Sequence, residues 1–331
     1  MKLLYAIQGT GNGHVSRAVD IVPELRKYGS VDLFVSGAQA DISLPFPVKY
    51  KSKGLSFYFG KSGGIDFYKT FQRNSSKDVM KEISEFPVEK YDLIVNDFEP
   101  ITSWAARKRG VRIVGLSHQS ALLSKKAPRP KVIDPFGEWL LRTYAPVDKY
   151  VGFHFEEYDK NIYTPVIRSA ITEAEKKDKG HYTVYLPAYD DKKLVKLFMK
   201  FQSIRWHIFS KHTGQAYHVG KISVYPVSGS DFVESMVTST GVLCGAGFET
   251  PAEVLYLGKK LLVVPMKSQY EQRCNAAALK KLGVPVLKRV RKRSLHRIEK
   301  WLDSNKCVEV SYPKVAAKAV ARMMKKYGGD D

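Results

Sequence analysis

Residues 241–277, GVLCGAGFETPAEVLYLGKKLLVVPMKSQYEQRCNAA, decide the fold. Val242 and Leu243 end an apolar strand where Gly245 and Gly247 must turn the chain. Glycine there permits positive φ and close approach of a ligand. Thr250 suits an N-cap, Pro251 the first helical position and Gly258 the stop, so a short helix is expected over 251–257. Leu261 to Val264 is an apolar, β-branched run of strand length that Pro265 ends. A loop then carries Ser268, Gln269, Glu271 and Gln272, and a helix runs on to about Leu282. This strand–turn–helix–strand order offers unpaired amides and a positive helix end near Gly247, which suits a diphosphate. Thr250 and Glu253 also read as a capping box, in which Glu253 would only close its own helix.

Working outward, Leu3 to Ile7 reads as a buried parallel strand. A glycine-rich turn at 8–13 follows, then helical spacing from His14 to Tyr28 through Val15, Ala18, Val19, Val22 and Leu25. This is the opening of a Rossmann half. The loop lacks the full dinucleotide fingerprint, so NAD is not expected. Strands are expected at 31–35, 92–96, 112–116 and 150–153, with helices at 101–108 and 135–145 between them. Around Pro45 and Pro47 the chain reads as irregular, with a strand at 55–59 and a helix over 66–85. Residues 161–180 are polar and read as a link with a short helix. A second α/β series starts at Tyr182, with elements at 191–202, 205–209, 222–225 and 232–236. Alternation of β and α predicts two doubly wound parallel sheets facing a cleft. The expected domains are 1–160 and 181–312, with a final basic helix at 313–327 that packs back on the first.

The chain of 331 residues carries 54 Lys and Arg against 33 Asp and Glu, a net charge of +21. Such an excess attracts polyanions or an anionic surface. Basic clusters lie at 107–109, 125–131 and 288–293, and aromatic residues do not interleave with them. Nucleic acid is therefore not the expected partner. The three cysteines, Cys244, Cys274 and Cys307, form no C-x-x-C pair, so reduced thiols and a cytoplasmic location are expected. Neither a signal peptide nor a spanning helix is expected. Asp190 and Asp191 read as a helix start, and His207, His212 and His218 lack metal-ligand spacing, so no metal is expected.

Three polar sites fall at the carboxyl ends of first-domain strands: the 9–14 loop, Asp97 and His118. Open α/β sheets bind ligands at that edge. His14 could accept a hydroxyl proton with Asp97 orienting it, or it could be an ordinary residue of the first helical turn.

The pattern Gly-Ala-Gly-Phe-Glu-Thr-Pro-Ala-Glu at 245–253, then Gly258, Val263-Val264-Pro265, Glu271-Gln272 and Asn275, resembles the donor-binding signature of nucleotide-sugar glycosyltransferases. It looks most like the inverting two-Rossmann-domain (GT-B) superfamily, especially the lipid-linked N-acetylglucosaminyltransferase of peptidoglycan synthesis and the UDP-glycosyltransferases. Gly-Thr-Gly-Asn-Gly-His at 9–14 resembles the N-terminal glycine loop of that superfamily, and His118-Gln119 its histidine-led turn. The resemblance implies a UDP-sugar donor used without metal or other cofactor. It implies His14 as base with Asp97 behind it. It also implies a sugar-nucleotide site built from Gly11, Asn12, Gly13, His118, Gly247, Phe248, Glu249 and Thr250. Glu253 would hold the ribose, Glu271 and Gln272 the sugar hydroxyls, and Ser228 and Phe232 would flank the uracil. Two departures stand out: Gly245 replaces a histidine of the plant members, and Pro187-Ala188-Tyr189 replaces the usual Gly-Gly-Ser turn. The acceptor is left open, and a lipid-linked one would place the chain peripherally on the inner membrane face. The alternatives are a nucleotide-sugar epimerase or hydrolase of the same fold, and a non-catalytic basic protein that binds polyanions.

Overall fold

The computed structural model describes residues 1–10, 12–37, 44–54 and 76–329. The strand expected at 55–59, the 66–75 part of the expected helix, Gly11 and the side chain of Asn12 lie outside the described residues.

The chain begins with β1 (Lys2–Gln8), α1 (Asn12–Arg26), β2 (Ser30–Ser36) and β3 (Tyr50–Ser52). It continues through α2 (Ser76–Glu85), β4 (Leu93–Asp97), α3 (Pro100–Arg109), β5 (Ile113–Ser117) and α4 (His118–Ala121). Then come α5 (Pro135–Thr143), β6 (Lys149–Phe153), β7 (Ile162–Tyr163) and α6 (Ser169–Thr172). The first sheet has the order β3-β2-β1-β4-β5-β6-β7, parallel throughout. Residues 3–7 of β1 are all inaccessible, as expected of a strand covered on both faces. Helix α1 buries Val15, Ala18, Ile21, Val22 and Leu25. Val19, expected on that face, lies 36% exposed, and Ile21 takes its place.

The second half holds β8 (His181–Tyr185), α7 (Asp191–Phe198), β9 (Arg205–Ser210), β10 (Tyr217–Val219), β11 (Ile222–Pro226) and α8 (Gly229–Val237). After these follow β12 (Gly241–Gly245), α9 (Glu249–Tyr256), β13 (Lys260–Val264), α10 (Tyr270–Lys281), α11 (Leu295–Asp303) and α12 (Ala316–Tyr327). Its sheet runs β10-β11-β9-β8-β12-β13, parallel except for β10. The fold is thus two Rossmann-like α/β domains. In each, the order reverses beside the first strand, between β1 and β4 and between β8 and β12, which is where such sheets bind ligands.

Several elements differ from the sequence reading. The link carries strand β7, which extends the first sheet. Helix α9 starts at Glu249, so Phe248 rather than Thr250 is the N-cap, with no side-chain cap bond. The capping box is absent, because Glu253 turns elsewhere. The helix does stop at Gly258, which adopts φ +69°. Helix α12 packs on α1 and β6. One apolar cluster runs through both domains, from Leu3, Val15 and Phe155 to Phe248 and Ala252 and on to Val320 and Met323. Fully burying such a side chain contributes about 1.5–3 kcal/mol, so this cluster holds the two domains together.

Candidate active site

The first site builds up at the β1–β4 switch point. Register places Ile7 beside Asp97, the last residue of β4. Helix α1 leaves the glycine loop and brings His14 to the same edge within its first turn. His14 Nδ1 lies 2.7 Å from Asp97 Oδ1. Asp97 is inaccessible to solvent, while 12% of the His14 side chain is exposed. One turn on, Arg17 Nη2 donates to Asp97 Oδ1 at 2.7 Å and Oδ2 at 2.9 Å, and Tyr5 Oη donates to Oδ2 at 3.1 Å.

These contacts set the electrostatics. Burial raises the Asp97 pKa, but Arg17 and His14 outweigh it and hold the group below the ordinary carboxylate value. Burial disfavours the His14 cation, yet the Asp97 charge and hydrogen bond outweigh that and raise the ring above its ordinary value. A carboxylate on Nδ1 keeps the proton there, so Nε2 is the basic nitrogen. Gln119 Nε2 lies 3.3 Å from it.

Directly after Asp97, Phe98 adopts φ +58°, an uncommon conformation for a side chain of that size. Its ring packs on Tyr144 at 4.9 Å and faces a cavity of about 630 Å³ between the domains. Gln8, Thr10, Gly13, His14 and Gln119 line one side of this cavity. Gly247, Phe248, Glu249, Ser268, Gln269, Glu271 and Gln272 line the other, and Phe136, Leu140, Leu141, Tyr144 and Tyr270 form an apolar wall. A wider recess of about 760 Å³ lies beside α6 and α8, lined by Arg168, Gly229 and Ser230, and it includes neither His14 nor Asp97.

On the second domain, β12 ends at Gly245 and the chain turns through Ala246 and Gly247 into α9. A Cβ added at Gly247 would meet nothing within 4 Å, so this turn faces open space. Glu249 and Thr250 form the first turn of α9, and Glu271 and Gln272 the first turn of α10. Gln272 Oε1 accepts from the Met266 amide at 3.0 Å, and Glu271 Oε2 accepts from Gln119 Nε2 at 3.0 Å. Glu253 is only 2% exposed and forms a two-pronged ion pair with Arg168, whose Nη2 lies 2.7 Å from Oε2. Burial works against the Arg168 charge, and the Glu253 carboxylate keeps it protonated. His118 is buried and lies outside the cavity lining. Its Nδ1 lies 2.9 Å from the Phe153 carbonyl oxygen and its Nε2 2.7 Å from Asn275 Oδ1, while Phe248 stacks on the ring at 3.9 Å. Ser228 caps α8, and Phe232 packs with Tyr185 and Phe209, both away from this cavity.

The structure therefore brings His14, Asp97, Gly13, Gly247, Phe248, Glu249, Glu271 and Gln272 to one cleft. It adds Arg17, Gln119, Phe98, Tyr144 and Tyr270, none of which the sequence reading had placed in the site. Local pattern gave no signal for Arg17, whose partner Asp97 is 80 positions away.

A family model described as Glycosyl transferase family 1 matches residues 1–304. No curated protein matches the chain. Among solved structures, the chain is similar to MurG of Acinetobacter baumannii, at 14% identity and TM-score 0.54, covering 99% of each chain. It is also similar to LpCGTa in complex with UDP, at 13% identity and TM-score 0.58, over 99% of this chain and 94% of that one. A Streptomyces glycosyltransferase complexed with thymidine diphosphate matches at 13% identity and TM-score 0.55, over 99% and 96% of the two chains. At such identities these likenesses speak to the fold, and the family match to the chemistry. With two facing Rossmann-like domains and a polar cleft at their switch points, the chain belongs to glycosyl transferase family 1.

Proposed function

We propose that this glycosyltransferase moves a sugar from a UDP-sugar to an acceptor hydroxyl, with inversion and without a metal ion. The observation that carries this reading is the His14–Asp97 pair, 2.7 Å apart at the edge of the cleft. The acceptor O–H gives its proton to His14 Nε2, and its oxygen forms the new bond to the anomeric carbon. The bond from that carbon to the diphosphate breaks, and UDP leaves with the electron pair. Asp97 stabilises the imidazolium that forms. Amides at Gly247 to Thr250, at the start of α9, would meet the leaving diphosphate. Glu271 and Gln272 would hold sugar hydroxyls, and Gly11, Asn12 and Gly13 would complete the donor side, while His118 would act only through Phe248, which stacks on its ring. On this reading the nucleoside lies toward Glu253, Ser228 and Phe232, and Arg168 shares Glu253 with the ribose. The UDP and thymidine diphosphate complexes of the similar structures support a nucleotide-sugar donor.

The acceptor side is apolar within the cavity and at its mouth. Val132, Ile133, Phe136 and Trp139 are 73%, 56%, 48% and 57% exposed. Exposed Lys125, Lys126 and Lys131 stand beside them. The sequence reading drew attraction to an anionic surface only from the net charge and the basic clusters, and it named none of these apolar side chains. We infer an acceptor with an apolar part, presented from an anionic membrane surface on the cytoplasmic face, with the basic 288–293 segment adding attraction. Among the described residues, no helix is long and apolar enough to cross a membrane.

His14→Ala tests the assignment of the base. It should leave UDP affinity near normal and lower turnover by about 10²–10⁴-fold. Full turnover in that variant would remove His14 from the mechanism.

A further inference from the structure

Arg17 is a buried charged side chain that both domains hold. It is 2% exposed and stands one helical turn beyond His14. Its Nη2 donates to both oxygens of Asp97, and its Nη1 donates to Glu249 Oε1 at 2.7 Å across the cleft. Glu249 opens α9 in the facing domain. Its carboxylate lies against Gly13, where an added Cβ would come within 2.5 Å of Oε2. Only glycine at position 13 leaves room for this contact. The Glu249 carboxylate is therefore drawn to the first domain, beside the N-terminal turn of α1.

We propose that Arg17 is a positioning residue that ties the base to closure of the cleft, holding Asp97 on His14 while Glu249 of the facing domain holds Arg17. The proposal rests on the reading of His14 as the base. Asp97 Oδ2 accepts from Arg17 and Tyr5, and Oδ1 accepts from Arg17 and His14. The imidazole thus has one partner direction, and Nε2 is held toward the cavity. Arg17 Nη2 is also only 3.1 Å from His14 Nδ1, so the guanidinium opposes a proton on the ring. With the cleft closed, Glu249 offsets that positive charge. With the cleft open, Glu249 departs and the guanidinium acts on His14 without that offset. Closure then strengthens the base at the stage when the acceptor must lose its proton.

The test compares wild type with Glu249→Gln, Arg17→Lys and the double variant. Two quantities are measured: the His14 ring titration by NMR, assigned through loss of its signal in His14→Gln, and kcat and KM against pH. Glu249→Gln should lower the His14 midpoint, because a negative charge that favours the ring proton is lost, and move the acid limb of kcat/KM with it. Arg17→Lys cannot span both carboxylates. It should lower kcat by about 10²-fold, as for a small misplacement of a catalytic group, with donor KM little changed. The double variant should be no slower than Arg17→Lys alone. A wild-type His14 midpoint and kcat in Glu249→Gln, or losses that multiply in the double variant, would overturn the proposal. Should Arg17→Lys fail to fold, Glu249→Gln decides alone, since its carboxylate is 26% exposed and its replacement keeps the shape. A ring titration that shifts as expected while the rate profile stays fixed would keep the tie and refute His14 as the base.

Discussion

Asp97→Asn separates charge from shape at the centre of the site. The carboxylate is inaccessible and accepts from His14, Arg17 and Tyr5. Asparagine keeps the volume but loses the charge and turns an NH₂ group toward one of these donors. In wild type, kcat/KM should fall as pH drops through the His14 value, which Asp97 raises above about 6.5 against the effect of burial. The substitution removes the main raising cause and leaves only Glu249 to raise the value, while burial and Arg17 continue to lower it. The acid limb should therefore move below about 6.5, and the plateau rate should fall by about 10²–10⁴-fold as the imidazole becomes less basic. Stability responds as well. The raised His14 contributes stability that is fully present below its unfolded value and is lost as pH rises through the folded one. The lowered Asp97 contributes stability present above its unfolded value and lost as pH falls through the folded one. Both contributions are present together between about pH 4 and 6.5. The variant removes them and leaves Arg17 with one carboxylate partner. Breaking a buried pair costs about 3–5 kcal/mol, or roughly 4–7 °C of melting temperature for a chain of this length. The assay is kcat/KM against pH, with melting followed in the same buffers. An unchanged acid limb together with a wild-type plateau would refute the coupling of His14 to Asp97.

Two further predictions concern the donor and the acceptor side. Glu253→Ala should weaken UDP binding by roughly 1.5–3 kcal/mol if the ribose shares this carboxylate. Unchanged UDP affinity in calorimetry, with equal melting losses for Glu253→Ala and Arg168→Ala, would make the pair purely structural. Phe136→Ser combined with Trp139→Ser should reduce co-sedimentation with anionic vesicles, and high salt should reduce what remains; no binding by wild type at low salt would sink the membrane reading.

Much of the fold was legible because its signals are local. Parallel strands buried on both faces appear as short apolar runs, and β1, β4, β5, β8, β12 and β13 all fall within a residue or two of their expected places. The edge strands β7 and β10 are two and three residues long, too short to carry a period. Helix α9 began earlier than its Thr250 and Pro251 signals suggested, because Phe248 stacks on His118 and packing set the entry. At the site, the glycine loops, His14 and Asp97 were legible as polar groups at strand ends. Arg17 was not, since it reads locally as an ordinary helix residue, and Gln119 was named only as part of the His118-Gln119 turn, without a role.

The sequence by itself determined two doubly wound sheets, their order and the edge where chemistry would gather, since apolar periodicity and turn residues act over a few positions. Tertiary structure alone decided which side chains meet there. Arg17 reaches Asp97 across 80 positions and Glu249 across 232, while Gln119 reaches Glu271 across 152. The first of these comes from packing within one domain and the other two from two domains that press together and exclude water, and Glu253 shows the effect of such packing: a residue that could have capped its own helix is instead buried 2.7 Å from Arg168.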